Sequence, residues 1–525
     1  MPDSLSAVRR YHDETKHHYH RFSRSVGYLD WASQPRPFRR FDGSPSFPLY
    51  PRPDANGRPH AIGDLLRHAL GLSAWKAFRE SRWALRVNPS SGNLHPTEAY
   101  VICGPHEGLS HQPAVYHYAA DQHELELRCE FDSGAWRTLC GAQDDVVLIV
   151  LTSIHWREAW KYGERAFRYC QHDLGHAIAA IAIAARIAGW NTSLAPSWPH
   201  ARVAALAGLD RDEDFFEAER EEPGCVLVLA RDSVPSPPLD AGEQLSTAVR
   251  NGRWQGRASQ LSEDHVQWTF IDEVAAATRD EGRTDARFST DFGRSELLSL
   301  HGSPDAPGWR SLILKRRSAV AFDGVSPTDR PTFVGILDAV MPGPAAPWAA
   351  LWWRPQIHLA VFVHRVEGLE PGLYLQVRDG TAVEPLRAAM RPDFLWEPVA
   401  GARSLFQLAR GDCRSLARRL SCDQDIASEG FFSLGMIARF DDSLAEFGPS
   451  FYRHLFWESG VVGQVLYLAA EAAGARATGI GCFYDDPVHD LLGLTGHAFQ
   501  SLYHFTIGMP VEDTRLTTEP GYEWG

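Results

Sequence analysis

The segment RVNPSSGNLHPTEAYVI (86–102) sets Pro89, Ser90, Ser91, Gly92 and Asn93 directly ahead of an apolar run. Prolines, small hydroxyls and a glycine favour a turn over a helix or sheet. Two hydroxyls, an amide and exposed backbone N–H groups are thus available to hold a ligand. A second concentration of chemistry lies in LILKRRSAVAFDG (312–324), where Arg316, Arg317 and Ser318 follow an expected helix end. Guanidinium groups beside a hydroxyl form an anion cradle, because arginine pairs with phosphate through two parallel hydrogen bonds. A solvated basic patch is the alternative. In ATGIGCFYDD (477–486), Gly479 and Gly481 bracket Ile480 and let backbone N–H groups approach a flat ligand closely. The same G-x-G is also an ordinary turn. Arg515, in IGMPVEDTRLTT (507–518), could close on the same anion.

The elements that must carry these groups occur twice. FRYCQHDLGHAIAAIAIAARIAGWNTS, from Phe167, matches YRHLFWESGVVGQVLYLAAEAAGARAT, from Tyr452. Asp173 and Glu458, Gly175 and Gly460, Gly189 and Gly474, and Gly208 and Gly493 keep the same register without a gap. The apolar stretches between acid and glycine predict buried helices, with Gly189 and Gly474 closing them in the left-handed conformation. Short β-like runs pair as well: AYVICG with HLAVFV, PAVYHY with PGLYLQ, DVVLIVLTS with FFSLGMIARF, and CVLVLA with LYHFTIG. Each half reads strand, strand, strand, long helix, strand, which is an α+β layer of sheet packed by helices. The expected organisation is an N-terminal wrapping arm (1–60), a first domain (61–235), an ordered strap between Pro/Ser breaks (236–305) and a second domain (306–525).

At 525 residues the chain exceeds one hydrophobic core. A net charge of −14 and the lack of any Lys/Arg run argue against a general affinity for nucleic acid or anionic membranes. No apolar signal segment opens the sequence and no stretch is long enough to span a bilayer. The eight cysteines are scattered without a C-x-x-C, so neither a zinc site nor a disulfide framework is expected, and a reducing cytoplasm is. The His-rich opening HDETKHHYH lacks a partner cluster at metal-ligand spacing; a solvated polar segment and no bound metal are expected there.

Taken together, KRRS followed by AFD, PSSGN-x-x-P and the terminal RL resemble the FMN-dependent nitroreductase superfamily. The nearer likeness is to its azoline-dehydrogenase branch (the SagB and ThcOx type), which YHDETKHHYH…LDWASQP and KYGERAFRYCQHDLGHA also resemble. The resemblance covers most of the chain in two copies. It implies two nitroreductase-like α/β sandwich domains in tandem, an intramolecular pseudo-dimer. In that family two subunits share each flavin. Carried over, Arg316, Arg317 and Ser318 would hold phosphate and ribityl, Arg515 would close on the phosphate, and the Gly479–Ile480–Gly481 segment would bring the Gly481 N–H near the flavin ring. From the other side Pro89, Ser90, Ser91 and Asn93 would contact ring and ribityl. Two positions depart from the pattern: Val320 stands where relatives often carry a basic residue, and Asp513 where some have lysine.

The same resemblance singles out Lys161 and Tyr162 as a catalytic pair, with Lys161 the base for a carbon-bound proton. The chain has only four lysines, and the register-matched pair in the second half is Glu446 and Phe447. The alternative is a surface residue on the charged amphipathic run HWREAWKYGERAF. His172, Asp173 and His176 suggest helix packing and supporting hydrogen bonds, since no nucleophile motif accompanies them. The first half holds the serine-rich loop but reads NTSLAPSW where the second has G-I-G. The second half holds R-R-S, G-I-G and Arg515 but reads VMPGPAAPWAALWW where its own serine loop would stand. One composite site for one FMN follows. An azoline-type dehydrogenase of peptide-derived or small substrates is the leading expectation. An NAD(P)H-dependent nitro or quinone reductase, or a non-catalytic flavin-binding scaffold partnering a cyclodehydratase, stay open, as does further dimerisation.

Overall fold

Apolar runs without polar alternation demand cover on both faces of a strand. Val146–Ser153 and Ile357–Val363 are of this kind and are buried at every position. In the computed structural model of the chain, residues 4–49, 61–141, 145–195, 198–231, 240–283 and 306–523 are described. These strands lie at the middle of two antiparallel sheets. The first runs Arg253–Trp254, Glu124–Glu130, Ala114–Ala119, Thr97–Cys103, Val146–Ser153, Glu222–Ala230, Asn191–Leu194, with Ser46–Pro48 also on Glu124–Glu130. The second runs Glu397–Pro398, Leu405–Arg410, Gly372–Gln376, Ile357–Val363, Phe432–Arg439, Phe499–Gly508, Arg476–Ile480. Every strand pair anticipated from the repeat occupies the matching place in its sheet. The fold is α+β, in two copies.

The helices repeat end to end. His155–Tyr162 answers Phe440–Phe447, Ala166–Ile187 answers Phe451–Ala472, and His200–Ala207 answers Asp485–Leu492. Both 22-residue helices close alike. Gly189 (φ 85°) and Gly474 (φ 74°) are left-handed, and the next N–H returns to a carbonyl five residues back, Trp190 to Ala185 and Ala475 to Ala470. A Cβ disfavours that conformation, so glycine stands at both positions.

Two compact units result, each drawing on distant parts of the chain. One comprises Ser25–Leu297, Pro344–Trp352 and Thr518–Gly525; the other comprises Met1–Arg24, Leu298–Gly343 and Trp353–Thr517. In the first unit Tyr100, Ile102, Leu148, Val150, Val226 and Val228 alternate onto one sheet face and pack with Leu206 and Leu245. The helix Ala166–Ile187 lies against Thr97–Cys103 and Val146–Ser153. In the second unit Ala360, Phe362, Leu373, Leu375 and Ile437 pack with Leu386, Val488 and Leu492. There Phe451–Ala472 lies against Ile357–Val363 and Phe499–Gly508.

Within the expected strap, Ala241–Arg250 and Thr269–Ala277 are helices, and Ala241, Leu245 and Val249 enter the first unit's core. The Pro/Ser break at 232–239 and residues 284–305 lie outside the described residues. The His-rich opening is not the solvated segment expected of it. Ser4–Glu14 is a helix, and His12, Thr15, Lys16 and His17 are buried. Burial is tolerated because the polar groups find partners: His12 reaches the Tyr452 hydroxyl at 3.2 Å and Gln500 Oε1 at 3.0 Å, and Lys16 Nζ lies 3.1 Å from Asp13. Among the described residues, no helix is long and apolar enough to cross a membrane.

Candidate functional site

The serine-rich loop connects the strand Ser81–Arg86 to Thr97–Cys103 in the first unit. Gly92, Asn93 and His95 have φ of 61°, 60° and 53°. Two left-handed non-glycine residues in one short loop are uncommon, and surrounding bonds must hold them. Asn93 Nδ2 donates to the Ala84 carbonyl at 2.9 Å, and its Oδ1 lies 2.9 Å from His95 Nε2. Burial, reinforced by Arg86 and Arg157, holds the His95 pKa well below its ordinary value, so its ring is neutral. Ser90 Oγ accepts from the His95 N–H at 2.8 Å and donates to Glu158 at 3.3 Å. The Ser91 N–H and hydroxyl both donate to Asp173, at 3.2 and 3.4 Å. Pro89, Ser90, Ser91 and Asn93 are half-buried, and Gly92 is exposed.

Lys161 and Tyr162 end the helix His155–Tyr162 and meet this loop within the same unit. A Cβ added at Gly92 would stand 2.6 Å from the Tyr162 hydroxyl oxygen and 3.2 Å from Lys161 Nζ. Only glycine satisfies both the left-handed backbone and that close approach. Lys161 Nζ is 5.2 Å from the centroid of the Tyr162 ring. Trp156 to Trp160 are buried and Lys161 is half-buried, so the amphipathic run HWREAWKY presents Lys161 at the edge of its buried face.

Under the loop lie two carboxyls that one glance at the sequence does not associate, Glu158 and Asp173. Burial pushes Asp173 up to about 7, against the opposing hydrogen bonds from Ser90 and Ser91. Burial, then the charge of Asp173, pushes Glu158 well above the carboxylate range, while Lys161 draws it down. The pair therefore keeps a proton at neutral pH. Asp173 bears out the supporting role read from its helix. Its register mate Glu458 does the same work in the other unit, accepting from the Gln356 and Ile357 N–H groups and from Arg378. Glu158 carried no signal in the sequence; its mate is Ser443.

In the second unit, Arg316, Ser318 and Gly479 converge on one side chain, Tyr467 of the long helix. The Arg316 guanidinium lies 4.9 Å from the Tyr467 ring centroid, Ser318 Oγ lies 2.8 Å from its hydroxyl, and the Gly479 N–H donates to that hydroxyl at 3.0 Å. Backbone pairing of Ser318 with Ala477, and Ala319 N–H to Ala477 C=O at 3.1 Å, holds the R-R-S and G-I-G segments side by side. Arg316 is buried, Arg317 is half-buried and bonds the Leu314 and Arg316 carbonyls, and Ser318 is exposed. Ile480 is buried and Gly481 half-buried. Arg515 is exposed, with its guanidinium on Asp513 at 2.7 and 2.9 Å. A buried guanidinium, a hydroxyl and a backbone N–H are thus gathered at one phenol. Tyr467 carried no signal in the sequence beyond being a polar-tipped ring in the apolar stretch VLYLAA.

Residues 64–218, which contain both the serine-rich loop and Lys161–Tyr162, match the family model described as Nitroreductase family. The trifolitoxin-processing protein TfxB of Rhizobium leguminosarum bv. trifolii is 32% identical over 162 residues, covering 28% of this chain. The chain spans 43% of the length of that curated relative. A crystal structure of a candidate nitroreductase from Anabaena variabilis ATCC 29413 shares the fold with a TM-score of 0.72 at 22% identity, over 96% of this chain and 99% of that one. Residues 64–218 thus carry a match to the nitroreductase family, and the chain shares its fold with that structure.

Proposed function

We propose that this protein is an oxidoreductase, an FMN-dependent dehydrogenase of thiazoline or oxazoline rings. The observation that carries the proposal is the meeting of the serine-rich loop with Lys161, where Gly92 leaves room for Lys161 Nζ and the Tyr162 hydroxyl. Aromatising an azoline removes a carbon-bound proton together with a hydride, and FMN, when bound, supplies the hydride acceptor. Lys161 Nζ takes the proton, and Tyr162 orients it from the side. Ser90, Ser91 and the loop N–H groups would hold the ring and ribityl of FMN, and Arg316, Arg317, Ser318 and Gly481 would serve its phosphate, ribityl and ring. Arg515 would serve the phosphate by exchanging Asp513 for it. Since each half carries the contacts its sibling lacks, one FMN per chain is the expected stoichiometry. A relative named for processing trifolitoxin supports a processing role on a peptide-derived or small substrate; a cyclodehydratase is the proposed partner that would supply the azoline.

Reconstitution with excess FMN tests this. One flavin per chain is expected, and Arg316→Ala and Ser91→Ala should each weaken binding about tenfold or more, the loss of one charge-assisted or hydroxyl hydrogen bond. Two flavins per chain, or none, overturn the composite site. Rapid bleaching by NADPH with turnover of nitroarenes and no azoline oxidation would assign a reductase. Flavin binding without either turnover would leave a scaffold.

A further inference from the structure

Six of the eight cysteines are buried, and burial pushes Cys103 and Cys413 up to about 12 and Cys225 higher still, which makes them poor nucleophiles. Cys422 and Cys482 are different. Both are partly exposed, they are separated by 60 residues, and their sulfurs lie 2.8 Å apart. Two unbonded sulfurs in van der Waals contact would stand farther apart, and a disulfide closer, at about 2.05 Å. The backbone on both sides is already fixed at this separation. Gln424 Nε2 donates to the Cys482 carbonyl at 3.0 Å and to the Ser421 carbonyl at 2.8 Å, and the Tyr484 N–H donates to the Leu420 carbonyl at 2.9 Å. Closing the bond thus requires a small movement of side chains and little of the main chain.

A base stands beside the pair. His17 Nδ1 is 3.8 Å from Cys482 Sγ, and its other nitrogen, Nε2, is 3.2 Å from Ser23 Oγ. The tautomer that donates Nε2–H to Ser23 turns the Nδ1 lone pair toward the thiol. His17 is fixed by reciprocal backbone bonds, its N–H to Asp485 Oδ2 at 2.8 Å and its carbonyl from the Asp485 N–H at 3.0 Å. All three residues belong to one unit.

We propose that Cys422 and Cys482 are a reversible dithiol–disulfide pair, with Cys482 the attacking thiol and His17 its base. His17 Nδ1 takes the Cys482 proton, and the thiolate attacks a low-molecular-weight disulfide, forming a mixed disulfide and releasing one thiolate, which is reprotonated. Cys422 then attacks the Cys482 sulfur, releasing the second thiol. The protein loses two electrons and two protons, and the small disulfide gains both. A dithiol reverses the reaction. The bond depends on thiol chemistry alone and on no cofactor.

The test is thiol mapping of the full-length protein, first fully reduced and then incubated with oxidised glutathione. Two alkylatable thiols should be lost, a peptide linking Cys422 to Cys482 should appear, and dithiothreitol should restore both. Cys422→Ser should trap Cys482 as a stable mixed disulfide with glutathione. His17→Ala should slow oxidation about tenfold or more while leaving the end point unchanged. Eight thiols that stay alkylatable at equilibrium would overturn the proposal. So would one zinc per chain that co-purifies, protects both thiols and is lost in Cys422→Ser, since the three side chains would then be metal ligands.

Discussion

Lys161 sits where a half-buried side-chain nitrogen meets a tyrosine ring and a glycine, and its proposed task is to accept one proton as the neutral amine. Lys161→Ala should therefore leave FMN content unchanged while azoline oxidation falls at least a hundredfold, as expected for loss of a positioned base; flavin titration and turnover read the two separately, and undiminished turnover would remove Lys161 from the mechanism. Asp173 titrates together with Glu158. Its ordinary carboxyl value is 3.8, and in the fold it is raised to about 7. Between these values the folded chain keeps a proton that the unfolded chain has released, so stability falls as pH rises from about 4 to 7 and is flat above. Asp173→Asn keeps an oxygen for the Ser91 N–H and removes the titration. It should flatten the urea-denaturation profile between pH 5 and pH 8 by about 2 kcal/mol, the coupled Glu158 retaining the remainder. An unchanged slope would show that Asp173 does not hold the proton.

The serine-rich loop is an element held by its surroundings and not by its own propensity. Asn93 ties it to Ala84, Ser90 to Glu158 and Ser91 to Asp173, and Gly92 lets it approach Tyr162. Gly92→Val adds a branched side chain at φ 61° and drives it into the Tyr162 hydroxyl. A loss of about 1–3 kcal/mol in stability is expected, with a larger proportional fall in turnover than in flavin binding. Thermal denaturation and steady-state kinetics measure both; a variant with native turnover would mean that the loop and Lys161 do not work together.

Across the whole molecule, the two units are built from interleaved chain segments. The tail Thr518–Gly525 belongs to the unit made from the first half. Lys76 Nζ bonds Thr518 at 2.7 Å, Trp75 Nε1 bonds the Gly521 carbonyl at 3.1 Å, and the Tyr522 hydroxyl accepts from the Leu72 N–H and donates to the Ala120 carbonyl. Tyr522 also packs with Leu72 and Ala84. Deleting residues 518–525 removes this buried ring and its hydrogen bonds, with an expected cost of about 3–5 kcal/mol. Chemical denaturation followed by tryptophan fluorescence should show an earlier first transition. A coincident midpoint would mean that the tail contributes nothing to that unit.

The duplication, the strand pairs, both long helices and their closing glycines were readable in the sequence, because periodicity and a left-handed cap are local properties that the chain writes twice. The serine-rich loop was readable as well, through residue types that suit no regular element, and the R-R-S and G-I-G segments through their guanidinium and hydroxyl donors and their backbone freedom. Three things were decided only by the tertiary structure. His17 was expected in solvent and is buried, because its partners Ser23 and Asp485 include one 468 residues away. Cys422 and Cys482 lack any diagnostic spacing, yet a turn and a strand end bring their sulfurs together. Glu158 and Asp173 lie on different helices and acquire their raised pKa values only when both are buried under one loop. In each case the governing quantity is desolvation or through-space distance, which depends on what folds over a residue and not on its neighbours in sequence.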